Sequence, residues 1–445
     1  MTKTTRWRTV VNGRLIALVV AALPPMLRGQ QLPPIRRLGE VVHTSKESFG
    51  AVSQIRLLAN GQLLVNDMVS HRLVMLDSSL ALHEIVADSN LKAGRQYPNQ
   101  PAGLIPFSGD STLFVDPASL SIVVLDADGR FTRVMGWSQA ADMRLLLGGP
   151  NGFPGLDGSN HIVYRGRPSF ASLTQLPGDS VRKFANRELD SVALLRMDLQ
   201  TRRLDTAAFS RFYKDEPAES IDRNGLRVTA SALDPLPAVD GWVVMTNGAL
   251  AIVRVQDYHV DWVSASTTRS TAKIPHEWKQ LSDSAKVAIV DSARAAALRT
   301  VGLASRLGVP AASVGESTTG SSGDTHFIVH GRTAGLSSRP PSTVNDSAHR
   351  AGEIQFIRAA ELPDYAPPFL RGGVLAGGDG NLWVRNTIAA LDGPVYDVVS
   401  PDGQLLQRVS IPAGRVISAV TRAGIVYTSF REASTVRIEA RRLVP

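Results

Sequence analysis

The chain has 445 residues, of which 43% are hydrophobic and 20% charged, and this ordinary globular composition excludes global disorder. The absence of cysteine excludes disulfides, thiolate metal sites and cysteine nucleophiles. The formal net charge is +8, but basic residues beyond position 29 are scattered singly among acidic ones, which argues against a nucleic-acid groove.

Residues 1–29 are typical of an export signal. They contain five basic residues and no acidic one, and an apolar run at 15–23 is followed by two prolines. Nine apolar residues suit a signal peptide but are too few to span a bilayer, and no later run is long enough. We therefore predict a signal peptide and an exported, periplasmic or extracellular protein. An uncleaved anchor and a buried N-terminal helix are the alternatives.

A repeat with a period of 49 residues predicts propeller blades. Residues 60–67 and 109–116 each contain a glycine turn followed by a short apolar strand, and another strand follows each of them. Asp67 and Asp116 end the corresponding strands and lie 49 positions apart. Short strands rich in Val, Leu and Ile between Asn-Gly or Asp-Gly turns indicate tight hairpins, and this period is typical of four-stranded blades.

Weaker copies of the repeat continue along the chain. A third blade begins at 161–165 and resumes at 193–198, and three more blades are predicted at 241–264, 380–411 and 416–443. The sixth blade is one strand short, so we predict that residues 37–42 complete its sheet and close the ring. The resulting fold class is all-β, a six-bladed β-propeller over residues 30–445.

Residues 276–362 form a predicted insertion between blades four and five. Residues 277–300 have the pattern of an amphipathic helix that starts near Ser282 or Asp283. Residues 313–325 and 333–349 are rich in Ser, Thr, Gly and Pro, a composition that predicts loop or disorder.

These repeats make the chain similar to the NHL-like six-bladed β-propellers, particularly exported propeller proteins of Gram-negative bacteria. The resemblance is carried by residues 60–67, 109–116 and 360–385 and covers nearly the whole chain after the leader. It implies the fold but no single activity, because such propellers include hydrolases, lyases, lactonases and binding proteins. Blades three and four and the insertion depart from the compact NHL pattern.

Known catalytic motifs are absent. The chain contains no nucleophile elbow, zinc-protease helix, phosphate-binding glycine loop or dinucleotide-binding fingerprint. Residues 126–129 lack the third ligand and distal glutamate of a calcium loop and are better explained as a hairpin turn. His326 and His330 are four residues apart, but the residues between them favour a strand. We therefore predict no metal site and no cofactor.

Five residues are candidates for ligand binding. Asp67, Asp116, Arg165 and Arg385 each end the second strand of a blade, and these strand ends open onto one face near the central channel. The arginines could pair with anionic groups, whereas the aspartates accept hydrogen bonds from a ligand or, as we favour, from the backbone of the following loop. Trp383 is expected either to pack between blades or to stack on a ligand.

Two functions fit this sequence. The first is a non-enzymatic binding propeller of the cell envelope that recognises a protein, peptide or glycan. The alternative is a metal-dependent hydrolase or lactonase in which channel-facing acids hold a divalent ion. We favour binding, because acids recur at matching positions only in blades one and two. Three or more carboxylates converging in the channel would favour the enzyme.

Overall fold

The computed structural model describes residues 32–91, 95–149, 152–166, 191–211, 216–221, 227–264, 267–306, 314–317, 326–329, 356–390 and 393–444. Within these ranges six sheets, each built on four antiparallel strands, follow one another along the chain. The six-bladed propeller predicted from the repeats is therefore confirmed. The predicted leader, residues 1–29, lies outside the described ranges.

The first half of the chain forms three blades. Two short strands come first: β1 (Ile35–Arg37) and β2 (Val41–Thr44). Blade one contains β3 (Val52–Leu57), β4 (Leu63–Asp67), β5 (Arg72–Leu76) and β6 (Leu82–Asp88). Blade two contains β7 (Gly103–Pro106), β8 (Thr112–Asp116), β9 (Ser121–Leu125) and β10 (Phe131–Gly136). Blade three contains β11 (Gly155–Leu156), β12 (His161–Arg165), β13 (Ser191–Asp198) and β14 (Leu204–Arg211).

The second half adds three blades and the insertion. A hairpin of β15 (Glu216–Ile221) and β16 (Arg227–Ala232) precedes blade four, which contains β17 (Gly241–Val244), β18 (Leu250–Arg254), β19 (His259–Val263) and β20 (Thr268–Ser270). Helix α1 (Asp283–Arg306) and the hairpin of β21 (Val314–Ser317) and β22 (His326–Val329) follow. Blade five contains β23 (Phe369–Ala376), β24 (Leu382–Ala390), β25 (Gly393–Val399) and β26 (Leu405–Ser410), and blade six contains β27 (Arg415–Val420), β28 (Ile425–Glu432) and β29 (Thr435–Arg442). Short 3₁₀ helices occur at Ser108–Asp110, Ala140–Leu147 and Ala359–Glu361.

The N-terminal segment closes the ring, as predicted, but with two strands instead of one. Strand β2 pairs antiparallel with β29 and completes blade six, whereas β1 pairs parallel with β26 and extends blade five. The chain crosses between these blades at Gly39, whose amide donates to the Arg442 carbonyl at 3.0 Å. A β-carbon at Gly39 would lie 2.5 Å from that oxygen, so glycine is needed at this crossing. The predicted strand 37–42 is divided because its two parts pair with different blades.

The insertion contains the predicted helix. Helix α1 begins at Asp283, and Ser282 Oγ caps it by accepting a hydrogen bond from the Ala285 amide at 3.2 Å. Lys286 Nζ lies 2.7 Å from the Asp364 carboxylate and fixes the first turn to the segment that returns to blade five. Of the stretch 313–325 only β21 lies within the described ranges, and the stretch 333–349 lies entirely outside them. His326 belongs to β22, and His330 lies outside the described ranges. No helix in the described part of the chain is long and apolar enough to cross a membrane.

The core lies between neighbouring blades. Leu64 and Met75 of blade one, for example, pack with Leu104 and Phe114 of blade two, and all four are almost completely buried.

A buried polar cluster joins blades four and five. In it, Asp397 accepts hydrogen bonds from the Tyr258 hydroxyl (2.8 Å) and the Asn386 amide (3.0 Å). Burial raises the pKa of Asp397, although these hydrogen bonds and Arg408 oppose the shift.

His276, beside this cluster, is expected to make the fold acid-sensitive. Burial, assisted by the positive charge of Arg408, lowers the pKa of His276 to about 4, and its ring packs edge-on against Tyr258 and Trp278. An unfolded histidine titrates near pH ~6.5, so the stability contributed by neutral His276 is complete above that pH and is lost as the pH falls towards about 4. The unfolding free energy of the unmodified protein should therefore fall as the pH is lowered from about 6.5 to about 4. In His276→Gln we expect this fall to be smaller by about 2 kcal/mol. Urea unfolding at several pH values would measure it, with exposed His83→Gln as the control. Equal acid sensitivity in all three proteins would contradict this expectation.

Candidate ligand site in the central channel

A cavity of about 950 Å³ occupies the axis of the propeller. The first strand of every blade contributes to its wall, namely β3, β7, β11, β17, β23 and β27. This arrangement follows from the fold, because radially packed blades place their first strands around the axis. The cavity thus collects side chains from all six repeats.

Helix α1 covers one end of the cavity with Ile289, Ser292, Ala293 and Ala296. In an antiparallel blade, the second strand ends on the same face at which the connection from the previous blade arrives. Since α1 lies in the connection between blades four and five, it covers the face on which second strands such as β24 end. The other end is formed by turns between first and second strands, where Asn247 is exposed.

Arg385, at the centre of β24, is the predicted site residue that reaches the cavity. Its side chain is only 7% exposed and forms part of the wall. Its Nε atom is buried without a hydrogen-bond partner, and the guanidinium makes no ion pair within the described residues. A buried cation without a partner is costly, so Arg385 provides an unsatisfied binding group at the cavity surface.

A bulge in the first strand of blade five exposes Arg385 to the cavity. The β23–β24 ladder pairs Phe369 with Asn386 and Val374 with Val384, so residues 370–373 lie opposite Arg385 alone. Gly372 has a φ of +70°, and a β-carbon at Gly373 would lie 2.8 Å from the Arg385 β-carbon. Glycines here let the bulged strand pass close to Arg385 with no side chain between them. A side chain on the second strand can therefore reach the axis.

The other charged residues of the described cavity wall are Arg56, Arg371 and Asp157. Arg56 donates to the Leu57 carbonyl at 2.8 Å and lies 3.4 Å from Asp110, and burial lowers its pKa. Asp157 lies 3.6 Å from Arg196 Nε and also caps its own turn by accepting the His161 amide at 2.9 Å. The described wall therefore carries three arginines and one acid, and Arg56 and Asp157 already contact oppositely charged residues.

The other four predicted site residues do not belong to the described wall. Asp67 is fully buried and accepts hydrogen bonds from the backbone amides of Gly50 (2.9 Å) and Ala51 (3.0 Å). The Asp116 carboxylate accepts the Ala118 amide at 2.9 Å in the loop that follows its strand. Arg165 is half-buried at the end of β12. Trp383 is fully buried between blades five and six, with Nε1 3.4 Å from Asp379. Their roles in ligand binding stay predictions.

In the described ranges, no group of three or more His, Asp or Glu residues is placed to hold a metal ion. Gln54, Arg56 and Arg371, which the sequence reasoning missed, line the cavity from first strands. The Gln54 side chain joins the first two blades. Its Oε1 accepts a hydrogen bond from the Leu104 backbone amide at 2.7 Å, and its Nε2 donates to the Leu104 carbonyl at 3.0 Å.

No protein-family model matches the chain, and no curated protein matches it. Similar solved structures include a candidate exported protein from Bacteroides fragilis, with 8% identity over 93% of this chain and 99% of that chain and a TM-score of 0.44. Virginiamycin B lyase from Staphylococcus aureus has 7% identity over 91% and 99% of the two chains and a TM-score of 0.34. A candidate gluconolactonase has 10% identity over 93% and 96% and a TM-score of 0.32.

Proposed function

We propose that the protein is an exported binding propeller that holds a small organic ligand in its central cavity. The observation that carries this proposal is the cavity of about 950 Å³, which helix α1 covers on one face. This volume lies at the upper end of the range of about 300–1,000 Å³ that is common for ligand pockets. The composition of residues 1–29 supports export.

The wall has the mixed character of a binding pocket. Apolar side chains such as Ile55, Leu104 and Val243 surround a few polar groups, among them Arg385. Apolar surface favours the burial of an organic ligand, and a small number of polar groups fix its orientation. The predicted alternative, a metal-dependent hydrolase, would instead need several convergent carboxylates. The single acid of the described wall, Asp157, already contacts Arg196.

Filling the cavity from α1 tests the proposal. Ser292 lines the cavity, so we expect Ser292→Trp to occupy ligand space and to weaken binding about tenfold or more. Val287 is 50% exposed on the same helix and does not belong to the wall, so Val287→Trp is the matched control. The measurement is fluorescence titration with the neutral apolar dye N-phenylnaphthylamine. Absence of saturable binding to the unmodified protein, or equal affinities for all three proteins, would contradict a cavity site.

A further inference from the structure

We infer that the ligand of the central cavity is an organic carboxylate with an apolar body, and that Arg385 binds the carboxylate. This inference rests on the proposed function, because it concerns the ligand class of the same cavity. Arg385 is 7% exposed, and its buried Nε has no hydrogen-bond partner.

An anion is the group that satisfies this environment. A guanidinium presents several N–H donors in one plane, and a carboxylate can accept two of them in parallel. Comparable arginines of this fold already have such partners. Arg408, which is equally buried, lies 3.6 Å from the Asp397 carboxylate, and half-buried Arg415 donates to both carboxylate oxygens of Glu439, at 2.8 and 3.0 Å. Arg385 has no corresponding acid within the described residues. We therefore infer that the ligand supplies the acid.

The backbone around Arg385 leaves its side chain accessible to a ligand in the cavity. Four residues of β23, 370–373, lie opposite Arg385 alone, and Gly373 leaves no side chain between the first strand and Arg385. Glycine is needed at 373, because a β-carbon would lie 2.8 Å from both the Arg385 β-carbon and the Leu370 carbonyl oxygen. β-Bulges next to functional sites change the direction of side chains in this way.

The surroundings of Arg385 indicate an apolar body. Leu370, Val374 and Ile417 line the same cavity, and Ile289 of α1 lines its covered end. The described charged residues elsewhere in the wall are less available, since Arg56 contacts Asp110 and Asp157 contacts Arg196. Arg371 lies on the bulge itself and adds positive charge near Arg385. One carboxylate on an apolar chain matches this distribution better than a polyanion.

The test compares an acid with its neutral ester. The fluorescent polyene fatty acid cis-parinaric acid and its methyl ester share one apolar body and differ in the negative charge. We expect the unmodified protein to bind the acid about tenfold or more tightly than the ester. In Arg385→Gln this preference should disappear, with the ester affinity unchanged, and Arg385→Lys should retain part of it. Arg133→Gln, which removes an exposed arginine of β10, is the control for net charge.

The outcomes separate the two proposals. Equal binding of acid and ester by the unmodified protein would overturn the ligand class while leaving the cavity site intact. The same conclusion would follow from a preference for the acid that persists in Arg385→Gln. If neither probe binds saturably, the proposed function fails and this inference fails with it. Thermal unfolding of each variant checks folding, and the comparison in the unmodified protein depends on no substitution.

Discussion

A chain that begins at Ser45 is expected to aggregate, or to melt about 10 °C or more below a chain that begins at residue 32. The truncation removes β1 and β2, and with them the ladders to β26 and β29. It also removes the hydrogen bonds from the Leu38 amide to Ser410 (2.9 Å) and from the Gly39 amide to Arg442 (3.0 Å). At about 1 kcal/mol net for each hydrogen bond, the loss approaches the ~5–15 kcal/mol that holds a typical domain folded.

Burial adds to this effect. Leu38 is 8% exposed and packs in the cluster between blades five and six, so its removal leaves a gap at the joint of the ring. The truncation also exposes the edge of β29, which otherwise pairs with β2. Thermal unfolding and light scattering of the two chains would measure the difference. A monomeric truncated protein with an unchanged melting temperature would show that the ring does not depend on these strands.

Second and third strands of blades could be predicted from the sequence because their signal is local. Strand β12 has the predicted bounds 161–165, and β5 and β9 are the strands predicted to follow residues 60–67 and 109–116. Each of the three forms part of a hairpin with a neighbouring strand. Gly61, which precedes β4, and Gly129, which precedes β10, have φ values of +85° and +77°, which is what tight turns require. Such strands pack on neighbouring blades with both faces. Their runs of Val, Leu and Ile are therefore conspicuous.

The first strands of blades four and six lie within the predicted blades, but those of blades one, two, three and five could not be read in the same way. The candidate site lies largely on first strands. Strand β3, Val52–Leu57, is half-buried throughout and contains Ser53, Gln54 and Arg56, because it faces the cavity instead of a closed core. Strand β11 has only two residues. Arg385 was chosen because the sequence predicted that a second strand ends there, whereas β24 continues to Ala390 and places Arg385 near its centre. Its access to the cavity depends on the bulge at 370–373, which no local pattern in the sequence reveals.

Trp383→Ala is expected to lower the unfolding free energy by about 3–5 kcal/mol while leaving the affinity for cis-parinaric acid nearly unchanged. The indole is fully buried among side chains of blades five and six, including Ile417 and Val426, and does not belong to the described cavity wall. Its Nε1 contact with Asp379, at 3.4 Å, is long, so packing should account for most of the loss.

A graded pair of variants separates packing from ligand stacking by Trp383. Trp383→Phe keeps an aromatic ring and should cost clearly less stability than Trp383→Ala, because it leaves a smaller gap between the blades. Urea unfolding gives the stability of each variant, and titration with cis-parinaric acid, well below the melting temperature, gives its affinity. Packing requires that stability falls in proportion to the volume removed while affinity stays constant. Weakened binding of cis-parinaric acid with little loss of stability would instead place the indole against the ligand. A ring that packs between blades supports the fold, whereas a ring that touches the bound molecule contributes to the affinity of the protein for that molecule.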